Sequence, residues 1–412
     1  MVKFKKIFII LLFLIGLMYN VVNGAEAEEI TATSGAVIDC IDGKILYSKN
    51  MDEKLYPASL TKVLTAILVV ENCNMQDEVV ISQNAIDSVQ SGYLTANIQA
   101  GEILTVEELL NLLLISSYND VSNALAEHVG GSVENFCVMM NEKAKEIGCT
   151  NSNFVNSDGT HNENHYSTAH DLALIGKYAM QFDEIKNITD KISYSLRSTN
   201  KYEGTDRLYE TTNDMLLSSS SNYYKYAKGI KTGFTTPAGN CLMVYSEKND
   251  IPLVAVVLKS TTYSSKYEDA RKILEYSYDN NTLRTIAVMG TNLQTIDVKG
   301  AKKDNKKLNA ILEENIKAVV NVENKNTNIE PQIVMNDKIK APIRKGDVVG
   351  KVSYEIEGRV YTSNLIAETN IEKSNTFIVF LLVFILILLL LGSLRTLEIK
   401  RRKQTLRRIR GK

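Results

Sequence analysis

The feature that most constrains this chain is a stretch of 19 residues without a charge, Thr376 to Leu394, within which Phe377 to Leu391 is continuously apolar. At about 1.5 Å per residue such a helix spans roughly 28 Å, close to the hydrocarbon thickness of a bilayer. Arg395, Lys400, Arg401, Arg402, Lys403, Arg407, Arg408, Arg410 and Lys412 follow it. Such basic flanks stay on the cytoplasmic side. The expectation is a transmembrane helix over 374–394, a basic cytoplasmic tail over 395–412, and a body outside the cell, held to the cell membrane by this single anchor. The N-terminus agrees. Lys3, Lys5 and Lys6 precede an apolar core, Ile7 to Leu17, and then the small-residue sequence Ala25-Glu26-Ala27. That make-up predicts a secretory signal over 1–27, cleaved after Ala25 or Ala27.

The two ends also hold the basic charge. A net charge of −1 conceals +8 on residues 395–412 and +2 on residues 1–27, which leaves the stretch between at −11. Phosphate contacts need clustered Lys and Arg, so nucleic acid is not an expected partner. The cysteines, at 40, 73, 137, 149 and 241, are too scattered for a disulfide scaffold, and their odd number leaves at least one free. No CxxC or CxxH spacing suggests zinc, and most of the five read as small buried apolar side chains.

The body divides near residue 285. Ala32–Ser48 reads as two strands about Asp42-Gly43, and a helix runs from Ser59 to Glu71 behind Pro57. Val106–Val129 is helical with a break at Ser116–Asn119, and Ser132–Ile147 and Thr168–Met180 are further helices. Ala227–Ile230 is strand-like. Asn240–Ser246 and Ile251–Leu258 read as antiparallel strands about Lys248-Asn249-Asp250, and a helix from Tyr267 to Tyr278 follows. Strands first, helices in the middle, then strands and a helix predict an α+β domain over 28–284, an antiparallel sheet with helices on it. Residues 285–373 show short β-branched runs, such as Thr285–Val288, Ala318–Val322 and Val348–Ile356, with turns such as Arg344-Lys345-Gly346-Asp347. They predict a small β-rich domain.

Three short motifs carry chemistry. Ser59-Leu60-Thr61-Lys62 is an S-x-x-K at the start of an apolar helix. Spacing i, i+3 puts hydroxyl and ammonium on one helix face, and a serine needs a neutral base to become a nucleophile. Alone the motif says little, because Ser198-Thr199-Asn200-Lys201 also matches. Ser117-Tyr118-Asn119 is an S-x-N in the break between two apolar helices, where a second hydroxyl can reach a cleft. The same triplet pattern recurs at Ser48, Ser82, Ser198 and Ser220, so position distinguishes this copy. Lys231-Thr232-Gly233 continues a strand-like segment, and Gly233 lets a ligand lie close to the strand edge. Lys231 and Thr232 suit a carboxylate, and the backbone N–H of Phe234 is expected to face the cleft. Each motif by itself also has a bland reading as a cap, a turn or a strand end.

Taken in order, 58 and 114 residues apart, the three form the signature of penicillin-recognising serine enzymes. Tyr56-Pro57-Ala58-Ser59-Leu60-Thr61-Lys62, Ser117-Tyr118-Asn119-Asp120 with Ala124-Leu125-Ala126-Glu127, Asn164-His165-Tyr166-Ser167-Thr168-Ala169 and Gly229-Ile230-Lys231-Thr232-Gly233-Phe234-Thr235 widen the match. Over about residues 30–280 the chain resembles the D-alanyl-D-alanine carboxypeptidases, the low-molecular-mass penicillin-binding proteins. Ala341-Pro342-Ile343-Arg344-Lys345-Gly346 resembles that family's β-rich second domain, and a C-terminal membrane segment is usual there. The middle residue of the S-x-N, commonly Gly in the family, is Tyr118 here and is expected to narrow that loop.

The resemblance implies a β-lactamase/transpeptidase-like fold and an acyl-enzyme on Ser59, formed by attack on the bond between the two terminal D-alanines of a peptidoglycan pentapeptide. It implies Lys62 as base and Ser117 as proton relay. Asn119 would hold substrate and Lys62, while Lys231 and Thr232 would bind the terminal carboxylate. The N–H groups of Ser59 and Phe234 would form the oxyanion hole. β-Lactam antibiotics would acylate the same serine. No metal or organic cofactor is implied, so His161, His165 and His170 need not be ligands. One rival is a serine β-lactamase. Its E-x-x-L-N motif follows the S-D-N, whereas Glu107-x-x-Leu110-Asn111 precedes Ser117 and reads as the helix leading into that loop. A second rival is a catalytically silent wall-binding protein of the same fold, against which the presence of Ser59, Lys62, Ser117 and Lys231 argues.

Overall fold

The computed structural model describes residues 29–410, and the signal expected at 1–27 lies outside them. Among the described residues the chain falls into two compact units. One ends at Leu283 and includes Val319–Lys325; the other comprises Arg284–Ala318 and Asn326 onward.

In the first unit the strands are β1 (Ser34–Asp39), β2 (Ile45–Lys49), β3 (Glu78–Val80), β4 (Ile103–Thr105), β5 (Ser193–Leu196), β6 (Arg207–Glu210), β7 (Ala227–Thr235), β8 (Gly239–Lys248) and β9 (Ile251–Ser260). The helices are α1 (Thr61–Asn72), α2 (Gln83–Asp87), α3 (Val106–Ile115), α4 (Asn119–Gly130), α5 (Val133–Ile147), α6 (Ala169–Ala179), α7 (Asp183–Thr189) and α8 (Ser265–Asn280). Five strands form one antiparallel sheet in the order β2-β1-β9-β8-β7.

Both faces of this sheet are covered, which is why β9 reads as an unbroken apolar run rather than an alternating one. Val254, Val256 and Leu258 join one core with α1 and α3 to α6, while Leu253, Ala255 and Val257 join a second core with Tyr267, Ala270, Ile273 and Leu274 of α8. The β8–β9 turn places Asn249 and Asp250 at φ 54° and 61°, as a two-residue hairpin whose twist matches its strands requires. The β1–β2 turn is longer, because the Asp39 carboxylate accepts from the N–H groups of Ile41, Asp42 and Lys44 and caps a wider loop.

Helix α1 is the centre of the domain. Six of its 12 residues are β-branched, each costing at most about 0.7 kcal/mol in helix propensity. Fully burying one such aliphatic side chain contributes about 1.5–3 kcal/mol, so burial decides. Every residue from Thr61 to Val69 is buried. Helix α3 begins with a capping box between Thr105 and Glu108 and ends at Ser116; α4 begins at Asn119. The break expected at Ser116–Asn119 is there. The short elements β3–β6, α2 and α7 carry too few periodic residues to have been legible in the sequence.

In the second unit five strands lie in the order Asn292–Asp297, Lys307–Leu312, Arg359–Ala367, Val348–Ile356, Gln332–Met335. Val352, Tyr354 and Ile356 are buried at period two, as are Leu308, Ala310 and Leu365 of the neighbouring strands. Thr376–Arg410 is one helix, α9, in which Val379–Leu406 is long and apolar enough to cross a membrane.

Candidate active site

Ser59 lies in a single 3-10 turn, Ala58–Leu60, ahead of α1 rather than inside the helix. Ala58 is at φ 48°, and Ser117 at φ 71°. Two non-glycine residues held in the left-handed region at one place are a strain that the surroundings must impose. Two glycines make the close approach possible. A Cβ on Gly159 would come within 1.9 Å of the Ala58 carbonyl oxygen, and one on Gly233 within 3.2 Å of the Ser59 nitrogen. Strand β7 and the 157–160 loop therefore both lie directly against the serine turn.

Lys62 is 0% exposed. Its Nζ donates to the Ser59 hydroxyl at 3.1 Å, to Asn119 Oδ1 at 2.6 Å and to the Asp158 carbonyl at 2.6 Å. Burial pushes its ammonium down to about 8, against the pull of Asp158 and Asp120. Ser117 is a buried residue that lines the cleft. Asn119 is fixed at both ends, through its side chain to Lys62 and through its N–H to the Leu94 carbonyl at 2.9 Å.

Lys231 is 1% exposed, and burial, then the charges of Lys62 and Lys266, hold its ammonium well below the ordinary lysine range. Thr232 shares a 2.7 Å hydroxyl–hydroxyl bond with Thr212. Ser59, Ser117, Asn119, Thr232, Gly233 and Phe234 line one cleft of ≈ 1030 Å³, with Lys62 and Lys231 buried in its wall. Tyr118 is not among the lining residues. Its ring packs edge-on against Tyr209, centroids 5.4 Å apart.

A family model described as D-alanyl-D-alanine carboxypeptidase matches residues 21–262, more than half of the chain. The chain belongs to the D-alanyl-D-alanine carboxypeptidase family. A second model, described as penicillin-binding protein 5, C-terminal domain, matches residues 282–373. D-alanyl-D-alanine carboxypeptidase DacF of Bacillus subtilis is 31% identical over 366 residues, covering 87% of this chain and 91% of the relative. The crystal structure of a peptidoglycan synthesis regulatory factor (PBP3) from Streptococcus pneumoniae superposes with a TM-score of 0.70 at 25% identity, over 84% of this chain and all of that one. Penicillin binding protein 5 of Haemophilus influenzae gives 0.67 at 26%, over 85% and 100%. The activity of this D-alanyl-D-alanine carboxypeptidase is that of a serine hydrolase, and neither rival reading is favoured by these relatives.

Sequence reasoning missed three contributors to this carboxypeptidase site, and named a fourth, His165, without its role. The Asp158 carbonyl, a backbone group in a loop, has no sequence signal. Lys266 of α8 lines the cleft at 4.1 Å from the Tyr263 ring centroid, and burial lowers it to about 8. Thr212 supports Thr232. His165 accepts from the Val155 N–H at Nδ1 (3.2 Å), so its Nε2–H donates to Thr61 Oγ1 (2.8 Å). With both nitrogens engaged, His165 has none left for a metal. For Lys266 the available signal was one Lys between Tyr263 and Tyr267.

Proposed function

We propose that Ser59 is the nucleophile of this carboxypeptidase, Lys62 its base and Ser117 its proton relay, acting on the terminal D-Ala-D-Ala of a peptidoglycan stem pentapeptide. One observation carries the assignment: of the three partners of Lys62 Nζ, only the Ser59 hydroxyl has a proton to give. Asn119 Oδ1 and the Asp158 carbonyl are acceptors only. A neutral amine keeps two N–H groups for those two oxygens, so its lone pair is left for Ser59. Losing a proton aims the base.

Ser59 Oγ then bonds to the carbonyl carbon and passes its proton to Lys62. The C–N bond breaks, and the proton reaches the departing D-alanine amine through the Ser117 hydroxyl. Water hydrolyses the ester and restores Ser59. The N–H groups of Ser59 and Phe234 stabilise the oxyanion; one such donor is typically worth about 10²–10³ in rate. Asn119 and the Gly233 edge position the peptide. Lys231, with Thr232 and Lys266, meets the terminal carboxylate, whose charge offsets the mutual repulsion of the lysines. A β-lactam presents a carboxylate beside a strained amide and acylates the same serine.

In this reading residues 28–284 are the catalytic domain, 285–373 a spacer or docking domain, 374–394 a membrane anchor and 395–412 a cytoplasmic tail, with the catalytic domain on the extracytoplasmic face of the cell membrane. Mass spectrometry of the protein digested after penicillin treatment tests the assignment. The adduct is expected on Ser59; an adduct on Ser117 or Ser198 overturns it. Loss of both D-alanine release and labelling in Ser59→Ala is the matching expectation.

A further inference from the structure

The far end of α1 carries a second cluster, remote from Ser59. Cys73 caps the C-terminus of α1, Asp77 follows four residues later, and His128 stands in the last turn of α4. The thiol sulfur, a carboxylate oxygen and an imidazole nitrogen of these residues lie within 4.8 Å of one another. They do not hydrogen-bond to each other. Among the described residues the Asp77 carboxylate accepts only from Asn74, at 2.8 Å from its N–H and 3.5 Å from its amide. That pair holds the carboxylate in place, as an outer partner does for a metal ligand. Three donor atoms of metal-ligating type therefore converge at one place.

The spacing of the donors and their chemistry suit one class of ion. Tetrahedral zinc with bonds of about 2.0–2.3 Å sets its ligand atoms roughly 3.3–3.8 Å apart, so a small inward movement would close this set. Sulfur with imidazole and one carboxylate is a zinc-type combination, whereas magnesium and calcium require oxygen ligands throughout. Two 12-residue helices, α1 and α4, end here, and the negative ends of their dipoles favour a cation. Cys73 and Asp77 are half-buried and His128 is exposed, which leaves an approach from solvent and room for a water.

We propose that Cys73, Asp77 and His128 bind one zinc ion, with water as fourth ligand, and so clamp the C-terminal ends of α1 and α4 together. The length of α1, about 18 Å at about 1.5 Å per residue, separates this site from Ser59, so the ion takes no part in peptide hydrolysis. The ligands, at 73, 77 and 128, follow no compact sequence spacing, and only the packing of α4 on α1 brings them together.

The test uses the full-length protein in detergent, stripped with a chelator and titrated with Zn²⁺. One equivalent is expected to stay bound through gel filtration and to raise Tm. Cys73→Ser and His128→Ala should each weaken binding by at least about tenfold and abolish the Tm rise. Labelling by penicillin should be unchanged in both, which reports an intact fold. Co²⁺ should give a thiolate charge-transfer band in the near ultraviolet that Cys73→Ser removes. Failure of the native protein to retain zinc, or retention unchanged in His128→Ala, overturns the site.

Discussion

Lys62 and Lys231 are equally hidden, yet their partners differ, and the difference assigns their work. Lys62 Nζ contacts a hydroxyl and two fixed acceptors, whereas Lys231 Nζ donates to the carbonyl of Thr232 at 3.1 Å. Burial lowers Lys62 to about 8, so its neutral form grows as pH rises through that value. The second-order rate of penicillin acylation should climb with pH to a plateau above about 8, since the dependence of kcat/KM reports the free enzyme's base. A rate independent of pH between 6 and 9 would remove Lys62 from that role. Lys62→Arg should abolish acylation with near-native Tm, because arginine stays protonated in this range. Gly159 is the complementary case. Any Cβ there strikes the Ala58 carbonyl, and φ +84° adds strain, so Gly159→Ala should displace the serine turn. A fall in acylation rate of more than about tenfold with a lower Tm is expected; wild-type labelling kinetics would show that the turn tolerates the side chain.

At the scale of elements, the loop between α5 and α6 does more than connect. It supplies the Asp158 carbonyl to Lys62, and the Ser157 carbonyl to both Thr65 and Ser122 at 2.6 and 2.8 Å. His165 pins it to Thr61 at the head of α1. Burial depresses His165 from the ordinary 6.5 to about 4, so the folded chain holds it neutral where the unfolded chain would protonate it. The sign follows: the unfolded state binds more protons between those values, so this contribution is complete above about 6.5 and is lost as pH falls toward about 4. Thermal melts across that window should fall less steeply in His165→Asn than in the native protein, with a lower Tm already at pH 8. Equal slopes would show that His165 does not govern the acid limb.

For the whole molecule, the chemistry-bearing residues all precede residue 280, and the uncharged run Thr376–Leu394 at the start of α9 holds no polar group suited to catalysis. A chain ending near Lys373 should therefore be soluble and hydrolyse small D-Ala-D-Ala peptides at the full-length rate. On intact wall it should act poorly, because tethering raises the effective concentration of enzyme facing its polymeric substrate. Comparing soluble-peptide turnover of the two proteins decides the point: a truncated chain inactive on peptide would make α9 part of the catalytic machinery.

The sequence by itself determined what local order can carry. Apolar periodicity placed α3, α4, α5 and α6 within a residue or two, and the order of three motifs announced the serine chemistry, because each motif is short, two of them at the start of a helix and the third within one strand. Only tertiary structure decided the rest. Gly159 meets Ala58 across 101 positions, the Asp158 carbonyl reaches Lys62 across 96, and Lys266 enters the cleft from a helix on the opposite face of the sheet. Tyr118 finds a ring partner in Tyr209 across 91 positions. Such contacts depend on how helices and strands pack, and a backbone carbonyl or a glycine's missing Cβ leaves no chemical signature along the chain that could have announced it.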